Sequence, residues 1–372
     1  MNIPFVDLER QHSPLQDDLD EAIQRVFDTS AFVGRRNNKF VTEFENQWGT
    51  YLGSKHVVGC GNGTDALEMT LEAAGVQRGD EVIVPAMTWI ATASSVLRCG
   101  ATPVFVDVHP DYYTIRTDLI EQRITEQTKA IIPVHLYGLP ADMDPLMQIA
   151  ERHNLLVIED AAQAHGAKYK GISAGTLAHA AVFSFFPGKN LGSIGDAGCV
   201  VTNDSALAEE VRRIANHGQV RKHDHQRLGR NSRLDGIAAA VLSVKLRHLD
   251  RWNAERARVA NEYGRLLADA GMKLPTYPEY ALSSYHLYVV TAQSSAAQTA
   301  LGALQYPRHY PTKLWEQPMF AAAHRSETYP TAEALSTIGY SLPVFPGMTQ
   351  DEIEMVVEKV ESGLMAYEND RR

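Results

Sequence analysis

The chain has 372 residues, 44% hydrophobic and 22% charged, which is globular rather than disordered or fibrous composition. Its 35 basic and 45 acidic residues give a net charge of −10, which argues against a nucleic-acid-binding protein. Three widely spaced cysteines predict neither disulfides nor a zinc site, and we expect no metal. No signal peptide and no apolar run of about 18 residues is visible, so we expect a cytoplasmic protein without membrane contact.

The first two-thirds of the chain alternates apolar runs with helix-like segments. Apolar, β-branched runs predict buried strands at 81–85, 102–108, 130–138 and 155–160. Helical patterns lie around them at 64–74, 88–98, 117–125 and 142–154. This order is typical of a parallel sheet covered by helices on both faces.

The alternation of apolar runs and helix-like segments changes after Asp160. Two strand candidates, 180–186 and 197–204, are joined by a loop without a helix, and helical patterns follow at 205–216 and 234–271. A smaller unit then combines strands at 286–290 and 340–346, a loop near 306–311 and a final helix at 349–367. We predict a large domain of residues 1–250 and a smaller α+β domain of residues 251–372. The helical segment 14–51 is a candidate to pack on the smaller domain.

The segment from Ser184 to Gly198 contains the most informative lysine. Lys189 lies in a loop rich in Gly and Pro between two apolar strands. A lysine is usually a solvated surface charge, but one held in a pocket can lose its proton and attack a carbonyl group. A nucleotide-binding P-loop does not fit, because Phe183 stands where that pattern needs glycine and Asn190 follows the lysine.

Two further segments lie at the ends of predicted elements. Asp160 follows an apolar strand, at the sheet edge where ligands bind, and either caps a helix or holds a cation such as a protonated ring nitrogen. The run GCGNGTDALEMTL (59–71) is a glycine-rich turn leading into a helix, which favours a phosphate site over a plain turn. Its G-x-G-x-G spacing disfavours a dinucleotide-binding dehydrogenase.

A phosphate cradle, an acid for a ring nitrogen and a lysine for a carbonyl are the three groups that pyridoxal 5′-phosphate requires. The chain also contains, in this order, the segments IPFVDL, GNGTDAL, EVIVPAMTWIATA, VIEDAAQAHGA, SFFPGKNLGSIGDAG and GRNSRLD. In these segments it resembles the pyridoxal-phosphate-dependent sugar-nucleotide aminotransferases, the DegT-like family. The resemblance implies a three-layer α/β/α large domain of the aspartate-aminotransferase type (type I), with a mostly parallel sheet, plus a smaller α+β C-terminal domain.

The resemblance also implies roles for particular residues. Lys189 matches the lysine that forms a Schiff base with the cofactor, and Asp160 matches the acid beside the ring nitrogen. Other matched cofactor contacts are Gln163 at the ring hydroxyl, Trp89 stacked on the ring, and Gly63, Thr64 and Ser184 at the phosphate. Asn231 matches an asparagine that reaches the cofactor of a neighbouring subunit, which implies a homodimer with shared active sites. The matched substrate contacts are His217, Arg233, His309 and Tyr310.

Simpler structural roles remain open for several of these residues. Trp89 could be a core side chain, Ser184 strand filler and Asn231 a turn residue. Each histidine could satisfy a purely structural role.

The implied reaction moves an amino group from an amino acid, L-glutamate in most of the family, to a keto-sugar of a nucleoside-diphosphate sugar. Pyridoxamine phosphate is the implied intermediate, and the pathway is surface polysaccharide or glycoside biosynthesis. The NGTDAL motif looks most like members that aminate carbon 3 of the sugar. The alternatives are a pyridoxamine-dependent sugar dehydratase, in which histidine replaces the lysine, and a non-catalytic member of the family.

Overall fold

The structure is a computed structural model that describes residues 3–34, 38–320 and 327–369. Its strands are β1 (His56–Cys60), β2 (Glu81–Pro85), β3 (Thr102–Val106), β4 (Thr128–Ile131), β5 (Leu156–Asp160), β6 (Lys168–Tyr169), β7 (Ile172–Ser173), β8 (Ala180–Ser184), β9 (Gly198–Thr202), β10 (Gln219–Arg221), β11 (Asp224–His225), β12 (Met272–Lys273), β13 (Ala281–Leu282), β14 (Tyr288–Ala292) and β15 (Gly339–Leu342).

The α-helices in the described ranges are α1 (Leu8–His12), α2 (Gln16–Thr29), α3 (Lys39–Leu52), α4 (Gly63–Ala73), α5 (Ile90–Arg98), α6 (Met143–His153), α7 (Ser205–Ile214), α8 (Gly236–Leu246), α9 (Leu249–Leu266), α10 (Ser295–Ala303), α11 (Pro330–Ile338) and α12 (Gln350–Asn369). Within those ranges, no helix combines the length and the apolarity that crossing a bilayer requires.

A seven-stranded sheet forms the centre of the molecule, in the order β1-β9-β8-β5-β4-β2-β3. All neighbouring pairs from β8 to β3 are parallel. Strand β9 runs antiparallel to both β8 and β1. The β8–β9 pair is antiparallel because a loop rather than a crossover helix joins the two strands. That loop carries Lys189.

Helices cover both faces of this sheet. Alternate side chains of a strand point to opposite faces, so Val82 and Val84 pack in one core with Leu67 of α4, while Ile83 packs in another with Leu146 of α6. Further along the sheet, helix α8 packs in a third core with residues of β1, β8 and β9. These layers confirm the predicted three-layer, mostly parallel α/β class.

The C-terminal part builds a separate core around the antiparallel sheet β12-β14-β15. Helices α9, α10 and α12 contribute Tyr263, Leu301 and Val356 to it. Helix α9 joins the two parts, because its Trp252 packs in the core beside β8 and β9 and its Tyr263 packs in the C-terminal core. The division into domains at residue 250 stays a prediction.

The N-terminal helices contact both parts. Helices α2 and α3 pack against α8, and Leu19 and Phe44 join its core, so the main contacts of segment 14–51 are not the expected ones with the smaller unit. Residues 35–37 of that segment lie outside the described residues. The short α1 does reach the C-terminal part, since Arg10 forms a two-pronged ion pair with Glu352 of α12 at 2.7 and 2.9 Å.

Several predicted elements differ in extent from the observed ones. The strands predicted at 130–138 and 340–346 end early, at Ile131 and Leu342, shortly before Pro133 and Pro343, which have no N–H for the strand ladder. The helix predicted at 117–125 is two short 3₁₀ turns, at Thr117–Leu119 and Glu121–Arg123. The single helical pattern at 234–271 is the pair α8 and α9.

Candidate active site

A cavity of about 470 Å³ opens where the carboxyl ends of β5 and β8 face the N-terminus of α4 and the C-terminal part of the chain. The sheet topology explains its place, because ligands bind outside the carboxyl ends of parallel strands. Most of the predicted site residues line it, namely Gly63, Thr64, Trp89, Asp160, Gln163, Ser184, Lys189, His309 and Tyr310.

Asp160 is the last residue of β5 and is buried, with 5% of its surface exposed. One carboxylate oxygen accepts a hydrogen bond from the Thr92 hydroxyl at 2.7 Å, and the other accepts one from the Ala162 N–H at 3.2 Å. Burial raises the pKa of Asp160, while these two hydrogen bonds and the charge of Lys189 act in the opposite direction. The two hydrogen bonds therefore fix the orientation of the carboxylate, and a cation placed beside it stabilises its charged form.

Lys189 lies in the loop that follows β8, where its backbone N–H donates to the Phe186 carbonyl at 2.9 Å. The side chain lines the same cavity as Asp160. Burial lowers the pKa of Lys189 to about 8, although the negative charge of Asp160 raises it. An amine with this pKa is partly neutral near pH 7, which is the form that reacts with a carbonyl group.

This lowered pKa gives a prediction for the protein stripped of any cofactor. At a pKa of about 8, roughly a tenth of the amine is neutral at pH 7 and about nine-tenths at pH 9. We expect borohydride trapping of an aromatic aldehyde on Lys189 to rise through this interval and then level off. Surface Lys170, whose pKa is raised by Asp144, is an internal reference that reacts at higher pH. A midpoint for Lys189 at or above that of Lys170 would contradict the structure.

The N-terminus of α4 forms one end of the cavity. Asn62 caps the helix by accepting the Asp65 N–H at 2.8 Å, and Gly63 and Thr64 occupy the first turn. The first N–H groups of a helix have no partner within the helix and carry partial positive charge, which suits a phosphate group. Ser184, at the end of β8, lines the cavity beside them.

Gly63 is required by the close approach of α4 to β8. A Cβ on Gly63 would lie 2.8 Å from the Ser184 Cβ, so Gly63→Ala pushes the helix start away from the strand. We expect this substitution to weaken phosphate-ester binding by about tenfold or more, on the order of 1.4 kcal/mol. The matched control is Gly264→Ala within α9, where nothing lies within 4 Å of the added methyl group. Equal cofactor affinity in the two variants, measured by titration, would exclude the phosphate cradle.

Gln163 and Tyr310 are held together by hydrogen bonds. The Gln163 side-chain oxygen accepts the Tyr137 N–H at 2.7 Å, and its nitrogen donates to the Tyr310 hydroxyl at 2.7 Å. Tyr310 also stacks on Tyr137, with ring centroids 6.0 Å apart. This arrangement fixes the rotation of the Gln163 amide next to Asp160, on the same wall of the cavity.

Trp89 and His309 are two other predicted residues that line the cavity. Trp89 precedes α5 and is 60% exposed, so it is not the core side chain that was left open as an alternative. His309 bonds through Nδ1 to the Ser341 hydroxyl at 2.8 Å and packs against Phe5 at 5.3 Å between ring centroids. Burial, together with the positive charge of Lys189, lowers the pKa of His309 to about 4, so this imidazole is neutral at pH 7.

Three predicted residues lie outside the cavity of their own chain. Asn231 is exposed and its backbone pairs with Asn216, while His217 is exposed with a left-handed φ of 60°. Arg233 lines a separate cavity and donates to the Asn216 side chain at 3.4 Å. Their predicted contacts with cofactor or substrate therefore require a second subunit, and stay predictions.

The structure adds three residues that the sequence did not single out. Thr92 holds Asp160, as described, and its sequence neighbourhood is an unremarkable apolar helix. His286 and Arg256 line the cavity from the C-terminal part. The Arg256 guanidinium is buried, donates to the Val344 carbonyl at 2.7 Å and has no ion pair with any acidic residue in the described ranges. The sequence did not indicate that Arg256 lines the cavity, because it has the same helical spacing as the other arginines of α9.

The cavity fits pyridoxal phosphate on the chemistry of its walls. The α4 N-terminus with Ser184 offers phosphate donors in a space that a Cβ on Gly63 would fill, while buried Asp160 offers a carboxylate and half-buried Lys189 a reactive amine. Together with the mostly parallel sheet, these groups define the class of pyridoxal-phosphate-dependent aminotransferases. The DegT/DnrJ/EryC1/StrS aminotransferase family matches residues 15–361, and the chain belongs to this family.

Two curated relatives align over nearly the whole chain. The "Pleiotropic regulatory protein" of Geobacillus stearothermophilus is 44% identical, with 97% of this chain and 98% of the relative covered. The "dTDP-3-amino-3,4,6-trideoxy-alpha-D-glucose transaminase" of Streptomyces venezuelae is 41% identical, with 96% and 95% covered. The predicted family and transaminase class are confirmed.

Two solved structures superpose closely on the chain. DesV of S. venezuelae in complex with a ketimine intermediate has a TM-score of 0.92 at 40% identity, covering 97% of this chain and 98% of that one. NtdA of Bacillus subtilis with bound cofactor PMP has a TM-score of 0.89 at 30% identity, covering 98% and 85%. The predicted cofactor, pyridoxal phosphate, is confirmed by the family and by these structures.

Proposed function

We propose that this protein transfers an amino group from an amino acid to the keto group of a nucleoside-diphosphate sugar. The observation that carries the proposal is the placement of two groups in one cavity: Asp160 at the end of β5, and Lys189 in the loop that follows the neighbouring parallel strand β8. The transaminase of S. venezuelae, named for a dTDP-amino sugar, supports a nucleotide sugar as the acceptor.

The predicted cofactor contacts that line the cavity have distinct tasks in this reaction. Pyridoxal phosphate supplies an aldehyde carbon that bonds to amines and a ring that accepts electrons. Lys189 would hold this group through Nζ and, once displaced by the substrate amine, would take a proton from the carbon that bears that amine and deliver it to the former aldehyde carbon. Asp160, held by Thr92, would keep a positive charge on the ring nitrogen. The α4 N-terminus and Ser184 would bind the phosphate, Gln163 would bind the ring hydroxyl, and Trp89 would cover the ring face.

Finer assignments of substrate are part of the proposal. Carbon 3 of the sugar is the position we favour, since the NGTDAL motif matches such members and the S. venezuelae relative is named for a 3-amino sugar. L-glutamate is the proposed donor. We place the enzyme in the cytoplasm, in the biosynthesis of a surface polysaccharide or glycoside.

The proposed assembly is a homodimer with active sites shared between subunits. Exposed Asn231 and His217, with Arg233, lie outside the cavity of their own chain and are available to a partner. In this arrangement Asn231 reaches the partner's cofactor phosphate and the other two residues contact the sugar nucleotide, together with His309 and Tyr310 of the chain that holds the cofactor.

A regulatory function is the second candidate, because the Geobacillus relative is named as a regulatory protein. The intact Lys189, Asp160 and Ser184 favour catalysis, since a protein without turnover has no need of a reactive amine in a cavity. Lys189 also disfavours a sugar dehydratase, because histidine occupies this position in the dehydratases.

A panel experiment tests the proposed function. The protein in its pyridoxamine form is mixed with a series of nucleotide keto-sugars, and the absorption of the aldehyde form is followed. We expect at least one 3-keto sugar to restore the aldehyde form and to yield an amino sugar detectable by mass spectrometry. Conversion of no sugar in the panel, by a protein that loads its cofactor fully, would favour the regulatory function.

A further inference from the structure

Asn190, the residue after Lys189, is buried, and its side-chain amide can adopt one orientation only. Its nitrogen donates to the Ser284 carbonyl at 2.7 Å and to the Asn253 side-chain oxygen at 2.8 Å. Asn253 is itself oriented, because its nitrogen donates to the His165 carbonyl at 2.8 Å. Carbonyl oxygens only accept hydrogen bonds, so both amide nitrogens must face them.

This orientation fixes the tautomer of His286. The Asn190 oxygen lies 3.0 Å from Nδ1 of His286, and since that oxygen can only accept, Nδ1 must carry the hydrogen. Burial and the nearby charges of Lys189 and Arg256 keep the pKa of His286 well below its ordinary value, so the ring is neutral. A neutral imidazole has one N–H, and Nε2 is therefore an unprotonated acceptor.

Nε2 of His286 has no hydrogen-bond partner among residues 3–34, 38–320 and 327–369, although the ring lines the cavity that holds Lys189. A ligand in the cavity is thus the available donor. The cationic Lys189 and Arg256 nearby repel an ammonium group, whereas they leave a neutral hydroxyl donor unaffected. Sugars present many hydroxyl groups, and the proposed acceptor substrate is a sugar.

We propose that His286 accepts, through Nε2, a hydrogen bond from a hydroxyl group of the keto-sugar, and that Asn190 maintains the tautomer this requires. His286 is then a substrate-binding residue on the C-terminal wall of the site. This inference rests on the proposed function, because it takes the sugar as the ligand. It concerns affinity for one hydroxyl group and leaves the chemistry at Lys189 untouched.

Two substitutions separate the two nitrogens of the ring. In His286→Asn, the amide nitrogen takes the place of Nδ1 and donates to Asn190, while the distal acceptor is removed. In His286→Gln, the longer side chain brings its amide oxygen to the place of Nε2 and retains an acceptor there. His153→Gln is the control, since His153 is a histidine on α6 bonded to Glu121 at the surface.

The measurement uses the cofactor-loaded protein and a series of nucleotide amino-sugar products in which each free sugar hydroxyl is replaced by hydrogen in turn. Calorimetry gives the Kd of each. For the wild type and His153→Gln, we expect one deoxy compound to bind about five- to tenfold more weakly than the parent. In His286→Asn, the parent compound binds more weakly by a similar factor, and removal of the same hydroxyl weakens binding no further. In His286→Gln, part of the affinity difference between the parent and the deoxy compound returns.

The inference is overturned by the same deoxy penalty in the wild type and in His286→Asn, or by the absence of a penalty at every hydroxyl in the wild type. Should His286→Asn not fold, the wild-type series together with His286→Gln still decides, because loss of all hydroxyl discrimination in His286→Gln contradicts the proposal. Failure of the proposed function has a different signature, in which the wild type binds and converts no nucleotide sugar.

Discussion

We expect Lys189→Ala to lose both its visible absorption band and at least about 10³-fold of its transamination rate. In the wild type the bound aldehyde makes the protein yellow, and borohydride abolishes the band by reducing the bond to Nζ. Alanine has no amine to carry the aldehyde and no base to move the proton. Absorbance spectra and the rate of amino-sugar formation report the two losses separately.

The control for this variant is Lys170→Ala. Lys170 is an exposed lysine paired with Asp144, outside the cavity, so its removal should leave the band and the rate unchanged. Turnover that persists in Lys189→Ala at more than a tenth of the wild-type rate would overturn the assignment of the reactive amine.

The second large effect is expected for Asp160→Asn, which keeps the shape of the side chain and removes its charge. A buried charge partner is worth about 3–5 kcal/mol, which corresponds to roughly 10²- to 5 × 10³-fold in rate. Asparagine cannot hold the positive charge on the ring nitrogen, and it no longer supports the ammonium form of Lys189. We therefore also expect the pKa of Lys189 to fall below about 8 in the cofactor-free variant.

Two comparisons separate this effect from general destabilisation. Thr92→Val removes one hydrogen bond to Asp160 and should cost about tenfold in rate, since the carboxylate keeps its charge and its bond from Ala162. Asp118→Asn, at an exposed carboxylate paired with Arg116, should cost nothing measurable. A rate for Asp160→Asn within a factor of three of the wild type would show that the carboxylate has no electronic role.

Much of the sheet and many of the residues that line the cavity could be predicted, because the informative residues lie at element ends. Asp160 closes an apolar β-branched run, Lys189 interrupts two such runs with a loop, and Gly63 opens a helix after a glycine-rich turn. Such positions are visible in a sequence because hydrophobic periodicity starts or stops there. The carboxyl ends of parallel strands then collect them at one edge of the sheet.

Residues away from element ends were not predicted, because no start or stop of the hydrophobic periodicity marks them. Thr92 lies inside α5, 68 residues away from the aspartate it holds, and nothing in its neighbours distinguishes it from a helix-core threonine. Arg256 lies on a helix with several other arginines, and His286 precedes a strand from another part of the chain. Their proximity to Lys189 is a product of tertiary packing. The lengths of two strands were also predicted wrongly, because Pro133 and Pro343 follow the ends of strands that the apolar runs predicted to be longer.

The most direct test of the assignment is to find the lysine that carries the cofactor. The holoprotein is reduced with borohydride, digested and analysed by mass spectrometry. We predict that the reduced pyridoxyl group is on the peptide containing Lys189 and on no other lysine in stoichiometric amount. Stoichiometric label on another lysine, such as buried Lys245, with Lys189 unmodified would contradict the assignment.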